Sequence, residues 1–218
     1  MIIGSKNIGG GIGVLPSYTW ATRPSAASVS TRAKIHISDI GPANGQGSEW
    51  YSDGTNWRPV GDHLIIGGSA SEVSIANVSP NTTINTHRTI TLPAGIILPG
   101  CFAELNAKWA HTASTNNKYL RLYLGGTSGT LMAQYNSAAA ASVVTDTLWT
   151  VDFITSANGA GTQLGKATGS FGTGVVSAAH NTGSVNTTAA TSLVLASNMG
   201  ATNETVTLKS FNAMLYYR

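Results

Sequence analysis

The chain has 218 residues, room for one large all-β domain or for a medium domain with a small companion, and only 10% of them are charged, against roughly 25% in an ordinary soluble domain. The net charge of +3 comes from 12 Lys and Arg against 9 Asp and Glu. The basic residues (Lys34, Arg58, Arg88, Lys108, Lys118, Arg121, Lys166, Lys209) are scattered singly, so no cationic face is expected for phosphates and nucleic acid is not expected as a partner. Thr, Ser, Asn, Ala and 25 glycines make up the missing charge, a surface suited to lying against other protein copies.

Residues 1–30 carry Gly9, Gly10, Gly11 and Gly13, two prolines (Pro16, Pro24) and no sustained periodicity. Such a stretch cannot form a core, and it is expected to be an extended docking arm that orders against a partner. A small module follows over 31–61. Ile35, Ile37 and Ile40 suggest a first strand, Gly41 to Gly47 a turn-rich loop, and Glu49 to Val60 a hairpin turning at Asp53-Gly54. Asp-Gly predicts a type I′ turn, with positive φ at both central residues. Pro59 has no amide hydrogen, so the second strand must be an edge or stop there. About 30 residues cannot hold an independent core, so the module must pack on the rest of the chain or on another copy.

Residues 62–71 read as a Gly/Ser-bearing linker, and 72–218 as the larger domain. Its expected strands are Glu72 to Val78, Arg88 to Leu92, Cys101 to His111, Lys118 to Gly125, Thr130 to Tyr135, Val143 to Ile154, Gly174 to Ala179, Ser192 to Ala196 and Thr205 to Tyr217. The most regular stretch runs from Cys101 to Leu124. Ala103, Leu105, Ala107 and Trp109 share one parity, and Leu120, Leu122 and Leu124 share another across the polar loop TASTNN, which predicts a long hairpin with a buried face. Trp149, Val151 and Phe153 repeat the pattern. The last strand changes phase: Val206 and Leu208 fall on one parity, Phe211, Ala213, Leu215 and Tyr217 on the other, and a β-bulge near Lys209 or Ser210 would reconcile them. Ala138 to Ser142 is too short to be stable as a helix by itself. The fold expected is all-β: an antiparallel jelly-roll or β-sandwich C-terminal domain, preceded by the β-hairpin module and the arm.

Cys101 is the one cysteine, so no internal disulfide can form and a buried reduced thiol is expected. No secretory signal and no apolar run of membrane-spanning length is read in the sequence, so neither secretion by that route nor membrane insertion is expected, and the sequons at Asn77, Asn81, Asn186 and Asn203 are read as unglycosylated. His36, His63, His87, His111 and His180 show no metal-ligand spacing. GGGIG and GGTSGT open no helix to hold a phosphate. Asp146 and Asp152 share one parity of one strand about 20 Å apart, too far to act as a pair. No catalytic residue, cofactor or metal is predicted, and an enzyme is not expected.

Aromatic residues remain as ligand or interface candidates. Trp50, Tyr51 and Trp57 beside Arg58 could stack on sugars, anchor an interface, or form the module's miniature core. Tyr119, Arg121 and Tyr123, on the face opposite the leucines, suit contact with a neighbouring subunit.

WYSDGTNWRPVG (residues 50–61), after a Gly/Asn-rich turn, resembles a short module of tailed-bacteriophage virion proteins: fibres, spikes and decoration proteins. RTITLPAGIILPGCFAELNAKWAH, NKYLRLYLGGT and LKSFNAMLYY are similar in style to the jelly rolls that close such proteins. The resemblance implies a non-enzymatic virion structural protein assembled in the host cytoplasm. It would be a homotrimeric short fibre or spike, anchored to other virion proteins by the N-terminal arm, with an outward jelly roll whose loops take a host surface glycan. A capsid (head) decoration protein and a free carbohydrate-binding module are the alternatives.

Overall fold

Alternation of apolar and polar residues builds this protein from strands. The computed structural model describes residues 14–40, 47–76, 83–137, 144–154, 163–168 and 181–218, and among them the only helical element is a three-residue 3-10 turn at Ala26–Ser28. The expected strand at 174–179, the alanine run at 138–142, the glycine patch at 9–13, most of the loop at 41–47, Asn77, Asn81 and His180 lie outside the described residues.

The protein is all-β and its larger part is a two-sheet sandwich. One sheet has the order β10 (Thr130–Ser137), β9 (Lys118–Leu124), β14 (Thr191–Met199), β7 (Asn85–Leu92). The other runs β13 (Asn181–Gly183), β12 (Gln163–Thr168), β11 (Val144–Phe153), β8 (Phe102–His111), β15 (Thr205–Tyr216), β5 (His63–Ser69), with β6 (Val73–Ala76) also on β15. Within both sheets the described pairings are antiparallel. Leu105, Trp109, Trp149, Val151 and Phe153 from the larger sheet and Leu120, Leu122, Leu124, Leu193 and Leu195 from the smaller one are fully buried in one cluster. Two large polar-tipped side chains in that core keep their hydrogen bonds, as burial requires. Trp109 Nε1 donates to Thr147 Oγ1 at 3.0 Å. The Tyr135 hydroxyl donates to Leu148 O (2.8 Å) and accepts from Thr168 N (3.1 Å), tying β10 of one sheet to β11 and β12 of the other.

Cys101 to Leu124 does form two strands with the expected buried parities, but they are not a hairpin. β8 pairs with β11 and β15, and β9 with β10 and β14, so residues 112–117 arch from one sheet to the other. The physical reason is the two leucine and tryptophan faces. In a hairpin they would lie side by side and need a third layer; across the arch they bury each other. The arch is held by Lys118 and Glu204, almost wholly buried and 3.2 Å apart, with Lys118 Nζ also donating to Ser114 Oγ (2.8 Å) and Asn116 O (2.8 Å).

The bulge falls where the phase change requires it. Leu208 is opposite Trp109 and Ser210 opposite Lys108, so Lys209 is the extra residue, and Leu208, Ala213 and Leu215 all reach the core. The expected linker is an element: most of 62–71 is β5, paired with β15, because Leu64 alternates into the core.

The small sheet is β1 (Ser17–Tyr18), β2 (Lys34–Ile37), β3 (Ser48–Ser52), β4 (Trp57–Pro59). β4 is an edge and ends at Pro59. The turn differs from expectation: Ser52 pairs with Trp57, leaving a four-residue loop in which Gly54 has φ +96° while Asp53 does not enter the left-handed region. Asp53 instead accepts Thr55 N (2.8 Å) and Asn56 N (2.7 Å) on Oδ1, a side-chain turn that replaces type I′. The boundary expected at residue 30 is not a boundary of the fold either. Ser17–Tyr18 joins the sheet beside β2, and Trp20 is buried between Trp50 (4.9 Å between ring centroids) and the sandwich, donating from Nε1 to Ala94 O at 2.9 Å. The module packs on the rest of its own chain: Trp50 meets Tyr217 edge-on at 6.0 Å, within one continuous core.

Candidate functional site

Of the seven residues singled out from the sequence, Trp50, Trp57 and Tyr123 are buried inside the chain and the other four are half-buried. Trp50 is fully buried with Nε1 on Ser48 Oγ (2.7 Å), and Trp57 is buried with Nε1 on Pro24 O (2.8 Å), so neither offers a ring face for a sugar. Arg58 donates from Nε to Asp53 Oδ2 at 2.7 Å; Tyr51, on the opposite parity to Trp50, is half-buried. The hydrogen bond from Asn56 N, with the Arg58 guanidinium beside it, holds the Asp53 carboxyl below its usual range.

The second group lies on the outer face of the four-stranded sheet. Tyr123 is only 6% exposed in the single chain, packed with Val194 and Ala196 and flanked by Leu131, which corrects its assignment to a subunit contact. Arg121 is held by its neighbours, donating from Nε to Gln134 Oε1 (2.8 Å) and lying 5.2 Å from the Tyr119 ring. Tyr119 and Arg121 stay half-exposed.

A different surface stands out on the outer face of the larger sheet. Opposite the core parity, β12, β11, β8 and β15 present Leu164, Leu148, Phe102, Met214 and Tyr216, all half-buried, among Thr150, Glu104, Asn106 and Asn212. Phe102 and Tyr216 stack at 4.6 Å with 8° between ring planes, the Arg218 guanidinium covers Phe102 at 4.6 Å, and His63 lies 6.2 Å beyond Tyr216. Next to the Lys209 bulge the same face has a hollow of about 210 Å³ lined by Asn106, Lys108, Asp146, Ser210, Phe211 and Asn212. One ion pair stands at each end: Arg218 with Asp152 (3.7 Å) and Lys108 with Asp146 (3.8 Å).

The sequence held a signal for this surface that periodicity arguments passed over. Met214, Leu215, Tyr216 and Tyr217 are consecutive apolar residues, and Phe102 and Leu148 fall on the polar parity of their strands. Apolar residues on both parities mean a strand covered on both sides.

Among the described residues no group of His, Cys, Asp and Glu could hold a metal ion, and no helix is long and apolar enough to cross a membrane. Cys101 is buried, and burial pushes its thiol up to about 11.

No family model matches the chain, and no curated protein matches it. Among solved structures, the fold is similar to an engineered GH43 glycoside hydrolase described as displaying both endo-xylanase and exo-arabinofuranosidase activity, at 10% identity and a TM-score of 0.39. That likeness covers 85% of this chain and 41% of the other, and at this level it carries no argument about activity.

Proposed function

We propose that the protein is a non-enzymatic structural component of a tailed-phage particle that works by assembling with copies of itself, as a short fibre or spike with the sandwich in the role of the outward jelly roll. The observation that carries the reading is the outer face of the larger sheet. Ten residues of β8 span about 33 Å and five neighbouring strands about 20–25 Å, giving about 700–800 Å². That is close to the roughly 800 Å² that each partner buries in a stable interface. On this face Leu164, Leu148, Phe102, Met214 and Tyr216 lie among Asn106 and Asn212, with Glu104 and Lys166 in the row through Thr150 and an ion pair at each end, a mixed apolar and polar surface of the kind protein interfaces carry. Each end carries one acidic and one basic side chain that a neighbouring copy can meet with opposite charge. The connections that cross between sheets, β7 to β8 to β9, β10 to β11 and β14 to β15, support the jelly-roll reading. A head decoration role uses the same face, and a trimer is the assembly that the fibre reading implies.

Labelled antibody against the protein on purified phage particles tests the assignment. Label at the tail tip supports the fibre; label over the head selects the decoration role; particles without label overturn the virion reading.

A further inference from the structure

Residues 20–26 cross between the β3–β4 turn and the sandwich loop at Gly95, and there they leave a cleft of about 430 Å³ whose walls include Trp20, Arg23, Ser25, Thr55, Asn56 and Trp57. This is within the size range of small-molecule sites. Arg23 is its one charged wall. The guanidinium lies 3.5 Å over the Trp20 ring and donates from Nη1 to Trp20 O, but Nε is buried with no hydrogen-bond partner. No carboxylate pairs with Arg23 among the described residues. Asp39, whose charge reaches it, is engaged in accepting Trp20 N at 2.7 Å. Burial lowers the Arg23 pKa from its ordinary value, although the group remains a cation at any physiological pH.

A half-buried guanidinium without a counter-ion has given up hydration without receiving a charged acceptor in return. A planar carboxylate is the acceptor its fork matches best. Around it the cleft sets hydroxyl and amide groups beside the apolar walls Trp20, Pro24, Ala26 and Trp57: Ser25 and Thr55 are exposed at the rim and Asn56 is half-buried. The rim is rigid, because Asp53 pins the turn through Thr55 N and Asn56 N. Gly95, at φ +74°, forms the wall opposite Arg23, where a Cβ would come within 4.0 Å of Nη2.

We propose that this cleft binds a carboxylate carried on a hydroxylated ligand, in chemical class a uronate-type acidic sugar, with Arg23 receiving the carboxylate and Ser25, Thr55 and Asn56 the hydroxyls. The site lies within one chain and does not depend on self-association.

The test follows the indole N–H resonances of the five tryptophans while the full chain is titrated with D-glucuronate, D-glucose or acetate. Glucuronate is expected to move the Trp20 and Trp57 signals saturably, with glucose and acetate each weaker by about tenfold or more, the worth of a charged hydrogen-bonded contact. Arg23→Gln should lose the glucuronate response by a similar factor while the remaining indole signals stay dispersed, and Arg23→Lys should recover part of it. Equal response to glucuronate and glucose overturns the carboxylate, and equal response to acetate overturns the sugar. No movement of either indole signal overturns the site. If Arg23→Gln does not fold, the three-probe comparison on the unaltered chain decides alone.

Discussion

His87 sits where β7 meets β6, β14 and the core. Its ring is 3% exposed, with Nδ1 3.2 Å from Val73 O, Nε2 2.9 Å from Ser197 Oγ, and Trp109 edge-on at 5.0 Å. Desolvation dominates, and with Arg88 next in sequence it lowers the pKa to about 4. A depressed histidine favours the neutral form in the folded state, so its contribution is present in full above the unfolded value near 6.5 and is lost as pH falls towards about 4. The difference is worth about 3 kcal/mol. Denaturant midpoints measured from pH 7.5 to 4 should fall, and the fall should be shallower by that amount in His87→Gln; an unchanged slope would remove His87 as the cause. Glu204 also loses stabilisation in acid. Burial raises its pKa, but the hydrogen bonds from Ser114 and Lys118 and the Lys118 charge outweigh that and hold it below the ordinary value, so its share is present above about 4.5 and goes as pH falls further.

At the scale of elements, β15 ties the larger sheet together, pairing with β5, β6 and β8. Its bulge keeps Leu208 and Leu215 on one side of the sheet although they differ in parity. Deleting Lys209 removes the extra residue and gives Leu208 and Leu215 one parity, so Ala213, Leu215 and Tyr217 stay inward without a bulge; deleting Asn212, beyond the bulge, slips those three to the outer face. We expect the Asn212 deletion to yield no soluble folded protein and the Lys209 deletion to fold. Lys209→Ser, which keeps the residue and loses only an exposed pair with Glu72 (2.8 Å), should shift the denaturant midpoint by less than about 1 kcal/mol. Comparable stability of the two deletions would contradict the bulge's role. The phase change was legible in the sequence because alternation is a local property. The partner of β8 was not, since the polar loop after His111 serves equally as a hairpin turn or as an arch, and only the burial of two facing leucine and tryptophan layers decides between them. The Asp53 turn failed for a related reason: Asp-Gly signals a reversal, while the number of loop residues is set by where Ser52 and Trp57 find their register.

At the scale of the whole molecule, the arm, the module and the sandwich that composition separated share one core through Trp20, Trp50 and Tyr217. Trp50 and Trp57 were read as site or core, and the core claims them. The outer face of the larger sheet is built from residues on the parity that alternation assigns to solvent, and Arg23 carried no sequence signal because the cleft around it and the lack of a carboxylate bonded to its guanidinium exist only in three dimensions. The central claim is self-assembly through the outer face of the larger sheet. Native mass measurement of the purified chain beside Leu148→Lys/Met214→Lys, two half-buried positions on that face, tests it most directly. The account predicts a multiple of the 22.4 kDa subunit for the unaltered chain and a single folded subunit for the variant. A single-subunit mass for the unaltered chain, or an undiminished multiple for the variant, would contradict it.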